Sequence, residues 1–221
     1  MMRQKDRNGF TITELVISIT IAGFLAAVLF ISTFYYYANI LQAQTSTDLA
    51  LESQTILNQL TDDIRLSDAI ASTNSIADPN APVGGWVTSD PSNIMIVQNP
   101  AVTSARDIIY DSNTGFPYKN EFIYFIAPGG MYKRVLANTS ATGNTQVTTC
   151  PASNATSTCP PDRLFSSNVS NLSFTFYDAS DATTANPTLA RSVGLNVDMA
   201  KKVFGKNITL SNSTRVTLRN L

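Results

Sequence analysis

The sequence contains no histidine. That removes the commonest general base and the commonest metal ligand together. Charged side chains make up only 14% of the 221 residues, and the formal net charge is −1. No stripe of lysine and arginine lies outside the first few residues, so no direct nucleic-acid binding is expected. No serine sits in a nucleophile elbow, and Val203-Phe204-Gly205-Lys206 lacks the glycine spacing of a phosphate loop. Only carboxylate chemistry is left, so the chain is expected not to be an enzyme and to use no cofactor and no metal. Asp178 and Asp181 read as turn formers rather than calcium ligands.

Cysteine is nearly absent as well. Cys150 and Cys159 are the only two, flanked by Pro151, Pro160 and Pro161. A metal site would need more ligands, and a redox pair would more usually read C-x-x-C. A local disulfide is the expected reading, with two free thiols as the alternative. Closing so short a loop would stabilise the fold by roughly 2–3 kcal/mol on the chain-entropy model.

Proline and glycine are missing between Gly23 and Pro79. An unbroken helix is therefore expected from about Phe10 to about Asp68, roughly 85–90 Å at helical rise. Its first part is strongly apolar. Leu15 to Tyr37 is 23 residues without charge or proline, or roughly 35 Å of helix against a hydrocarbon core of ~30 Å. Tyr35, Tyr36 and Tyr37 end the run where an interfacial aromatic belt would sit. Beyond it, Leu49, Ile56, Leu57, Leu60 and Ile64 keep helical spacing and form one apolar face. Arg3, Lys5 and Arg7 outweigh Asp6 ahead of the span. The positive-inside rule then leaves the N-terminus in the cytoplasm and the rest of the chain outside. No small-residue break follows the run, as an ordinary secretory signal would have.

Glu14 spoils a plain anchor. A carboxylate one turn into an apolar span costs a few kcal/mol or neutralises itself, and the span itself offers it no partner. Gly23, with Ala22, Ala26 and Ala27 near it, reads either as a tolerated small residue or as a face for close helix packing.

Gly9-Phe10-Thr11-Ile12-Thr13-Glu14-Leu15, after a short basic leader, resembles the processing site of type IV prepilins and pseudopilins. The resemblance implies cleavage between Gly9 and Phe10 by a prepilin peptidase and N-methylation of Phe10. It also implies a partner for Glu14, the fifth mature residue: the α-amine of Phe10 on a neighbouring subunit. A carboxylate and an ammonium compensate each other where each alone would be expensive. Many major pilins carry a proline near the twenty-second mature position; Ile31 stands there in this chain, so no kink is expected.

The remainder reads as β-rich. Residues 71–92 are loop, with Trp86 as a local apolar anchor. Strands are expected at 93–98, 106–110, 121–127, 131–136, 169–177, 191–199 and 214–220, with a glycine turn at Pro128-Gly129-Gly130. A polar loop, 137–163, holds the cysteines. Period-two alternation implies a sheet with one buried face, covered by the helix. The expected fold class is α+β: a long N-terminal helix, membrane-spanning in its first half, packed on an antiparallel sheet. The parts are a leader (1–9), a transmembrane or filament-core helix (10–37), its amphipathic continuation (38–70) and a globular head (71–221).

Residues 168–181, the strand RSVGLNVDM and the terminal TRVTLRN are similar to the minor pilins and pseudopilins of the PilW/PulJ type. That similarity implies a minor subunit of a type IV pilus, type II secretion or competence filament. Its implied partners are other pilin subunits, the prepilin peptidase and an inner-membrane assembly platform. A tip adhesin or other binding subunit, acting through loops 71–92 or 137–163, is the alternative.

Overall fold

The computed structural model describes residues 11–90 and 93–218. The chain divides into two compact units, one ending at Thr45 and one spanning Ser46–Leu221. A single helix, α1 (Ile12–Arg65), supplies nearly all of the described first unit and opens the second. It contains no proline, and its one glycine is Gly23, so nothing in it interrupts the hydrogen-bond ladder.

The helix stops three residues short of the expected Asp68. The Ser67 hydroxyl and backbone N–H both donate to the Ile64 carbonyl, which terminates the last turn. The Asp68 N–H then donates to the Gln98 carbonyl and leads the chain into a strand.

The second unit holds two antiparallel sheets, where the sequence suggests one. The first contains β1 (Ala69–Ala71), β2 (Met95–Pro100), β3 (Lys119–Ala127), β4 (Gly130–Leu136) and β5 (Arg163–Ser166), in that order. The second contains β6 (Val169–Tyr177), β7 (Thr183–Thr184), β8 (Ser192–Val203) and β9 (Lys206–Thr217), in the order β7-β6-β8-β9. The β3–β4 hairpin turns through Pro128-Gly129. Gly130 has φ +135°, and a Cβ there would overlap the Ser166 carbonyl, so only glycine fits. Segment 106–110 is not a strand. Arg106 takes φ +70° in a tight turn closed by Thr103 and Asp107, leaving only isolated bridges at Ile108 and Tyr110.

The main core lies between the second half of α1 and both sheets. Leu49, Ile56, Leu57, Leu60 and Ile64 pack with Met95, Val97 and Tyr124 of the first sheet and Leu172, Leu195 and Val197 of the second. A smaller cluster forms on the opposite face of the first sheet, where Ile96, Ile123, Phe125 and Leu136 meet Ala71 and Trp86. The first sheet therefore buries both faces, which explains the continuous apolar run Phe122–Phe125. The second sheet shows the alternation of a sheet buried on one side, clearest along β8.

Candidate functional site

Gly9 and Phe10 lie outside the described residues. Glu14 lies at the head of α1, and it has a local partner that the sequence reading missed. The Thr11 backbone N–H and hydroxyl donate to its Oε2 at 3.0 and 2.9 Å, and the Glu14 N–H donates to the Thr11 hydroxyl at 3.3 Å. This is a capping box, whose signature is Thr followed three residues later by Glu ahead of an apolar run. The spacing Thr11-Ile12-Thr13-Glu14 carried that signal. The helix dipole favours an anion at this end. Hydrogen bonds therefore satisfy the carboxylate locally, but Thr11 supplies no opposite charge.

Beyond Glu14 the helix is long and apolar enough to cross a membrane, and none of its most apolar stretch is buried by the described residues. Phe24, Leu29, Phe30 and Ile31 are all exposed. Thr20 and Thr33 turn their hydroxyls back onto the carbonyls of Val16 and Leu29, both at 2.8 Å. Those polar atoms are thereby satisfied without water. A Cβ at Gly23 would meet nothing within 4 Å.

The head carries a second notable arrangement. Loops 71–92 and 137–163 converge on one face of the β3–β4 hairpin. Between them lies a cavity of about 550 Å³, lined by Pro82, Trp86, Phe125, Tyr132 and Pro151 with Arg134 and Asp162. Arg134 is 2% exposed. Its Nε and Nη2 grip Asp162, with Nη2 at 2.6 Å from Oδ2, and Nη1 reaches Asp78 at 2.9 Å and the Asn80 carbonyl at 3.2 Å. Trp86 donates its indole N–H to Asp78 at 2.7 Å, and Thr149 donates to Asp162 at 2.8 Å. The guanidinium carbon lies 5.2 Å from the centroid of Trp86 and 5.6 Å from that of Phe125. Burial works against the charge on Arg134, but hydrogen bonds and attraction from Asp162 and Asp78 outweigh it and hold the group above its usual range. Trp86 is thus the local anchor that its sequence context suggests, tied in place by one buried ion network.

Cys150 and Cys159 form a disulfide with Cα atoms 5.7 Å apart. It sits beside this network, since the Asp162 N–H donates to the Cys150 carbonyl at 2.7 Å. The bridge therefore braces the loop that presents Asp162 and Pro151. Asp178 closes a turn by accepting from the Ser180 hydroxyl and the Ser180 and Ala182 N–H groups. Asp181 pairs instead with Arg215. The two carboxylates do not converge.

Residues 4–30 match the family model of the prokaryotic N-terminal methylation motif. The match thus covers residues ahead of α1 and the first part of that helix. No curated protein matches the sequence. Among solved structures the chain is similar to a type IV-like pilin of Thermus thermophilus, at 9% identity and a TM-score of 0.42, over 78% of this chain and 98% of that one.

Proposed function

We propose that this chain is a structural subunit of a type IV pilus-like filament, a minor pilin or pseudopilin, and not an enzyme. The observation that carries the reading is the matched methylation motif at the head of an apolar helix that no described residue covers. Such a helix needs lipid before assembly and other helices after it. In this reading the prepilin peptidase cuts between Gly9 and Phe10, and the new α-amine of Phe10 is methylated. On a neighbouring subunit, that amine supplies the opposite charge that Thr11 cannot give Glu14. The basic leader sets the N-terminus in the cytoplasm and the head outside. An inner-membrane assembly platform then moves the subunit into a filament built from neighbouring pilins.

Two substitutions test the role of Glu14. Glu14→Gln keeps a side chain able to complete the capping box but removes the charge; Glu14→Ala removes both. Both variants should insert and be cleaved, and both should fail to enter the filament. Incorporation of Glu14→Gln at the normal level would overturn the ion pairing and leave only a helix-capping role.

A second reading makes the head a binding module at the filament surface or tip. What favours it is the convergence of loops 71–92 and 137–163 on one aromatic- and proline-lined cavity. In that case Tyr132→Ala should leave filaments intact and abolish their attachment to surfaces. Unchanged attachment would reject it.

A further inference from the structure

The four sheet edges differ sharply in length. β1, β5 and β7 run for 3, 4 and 2 residues, whereas β9 runs for 12. Short edge strands are one way proteins prevent unwanted pairing. β9 lacks the other safeguards too. It contains no proline, pairs with β8 through an unbroken register without a bulge, and has no charged residue between Asn207 and Thr214.

Which of its backbone groups are free follows from the hairpin. The two-residue turn Phe204-Gly205, both with positive φ, makes Val203 and Lys206 a hydrogen-bonded pair. Hydrogen-bonded and open pairs alternate along an antiparallel ladder. The bond from the Leu218 N–H to the Arg191 carbonyl agrees with that phase at the far end. Even-numbered residues of β9 therefore bond to β8. The N–H and C=O groups of Asn207, Thr209, Ser211 and Ser213 point to the open edge. Among the described residues no other strand, loop or side chain bonds to them. Their side chains are exposed and short, so they leave the edge open to approach.

We propose that this edge pairs with β9 of a second copy of the chain, antiparallel and centred on Thr209. Among the described residues the other edge strands run for at most 4 residues, too short to match segment 206–212 along its length. The register sets Asn207 opposite the second copy's Ser211, so every paired backbone group comes from the outward set. It also sets Ile208 opposite the second copy's Leu210. Both side chains are only partly buried at the rim of the main core, and the pairing would cover them. Lys206 falls opposite Asn212, so no like charges meet. Such a two-fold contact closes on itself and does not propagate. It is separate from the helix-mediated filament contact proposed above, and it stands or falls independently.

The test uses the full chain in detergent micelles, with mass measured by sedimentation or light scattering over a range of concentrations. The native chain should dimerise. Thr209→Lys and Thr209→Glu each place two like charges face to face at the centre of the pair, and each should weaken dimerisation at least tenfold. Mixing the two variants should restore it. Thr209 is exposed, and unchanged Trp86 emission would confirm that the variants stay folded. A native chain that remains monomeric throughout would overturn the proposal. So would a dimer that persists in Thr209→Lys, because its contact would then lie in the span or on another surface.

Discussion

The Nζ of Lys133 on β4 lies 2.6 Å from Oδ2 of Asp63 on α1, so a single ion pair ties the second half of the helix to the first sheet. Tyr124, the neighbour of Lys133 across the β3–β4 ladder, donates its hydroxyl to the same carboxylate oxygen. The ammonium also sits 3.7 Å above the centroid of the Phe122 ring. Burial pulls Lys133 below its usual range, and the Asp63 charge opposes that shift. The cation is retained there because it has a partner.

Removing that partner should be costly. Asp63→Ala leaves a largely buried ammonium uncompensated, and the expected loss is about 3 kcal/mol in denaturant or thermal melts. Adding Lys133→Met to it should recover much of the loss, since the stranded charge goes too. A single-variant loss under about 1 kcal/mol would mean that water solvates Lys133 well enough to replace Asp63.

Tyr124 gives the head a pH dependence with a definite sign. Burial, then the Asp63 charge and hydrogen bond, raise its hydroxyl well above the ordinary value of 10.0. Above that pH the unfolded chain loses the proton while the folded chain keeps it. The stabilisation is thus complete below pH 10 and declines as pH rises beyond it, at up to about 1.4 kcal/mol per pH unit. Tyr124→Phe should lack this decline. Parallel stability curves for the two proteins between pH 9 and 11 would contradict the assignment.

Arg134 should be the most sensitive residue of the head cavity. Its partners Asp78 and Asp162 have side chains only 1% and 5% exposed. Arg134→Met strands both carboxylates, and the expected cost is about 3–5 kcal/mol. Trp86, the single tryptophan of the chain, should report the change as a red-shifted emission when loop 71–92 loses its anchor. The triple variant with Asp78→Asn and Asp162→Asn should be more stable than Arg134→Met alone. Native-like emission in Arg134→Met would show that the network does not hold the loop.

Much of the fold was legible in the sequence because its signals are local. The proline-free stretch after Gly23 predicts one long helix, and the expected strand Val169–Tyr177 coincides with β6, with Leu172, Phe174 and Phe176 buried. The short strands β1, β5 and β7 were not legible, since two to four residues carry no period. The second sheet face was hidden because β3 buries both sides and so shows no alternation. The ion networks join residues far apart in the chain, Arg134 to Asp78 and Asp162, and Lys133 to Asp63. Only tertiary structure brings them together. The capping box at Glu14 is a different case. Its Thr-to-Glu spacing is readable in the sequence, because a capping box is a local signal.

The proposed function requires the chain to be processed before it assembles through its N-terminal helix. Mass spectrometry of the mature protein, recovered from cells with an active prepilin peptidase, tests it most directly. The expected product begins at N-methylated Phe10 and lacks residues 1–9. A protein that still begins at Met1 in those cells would contradict it.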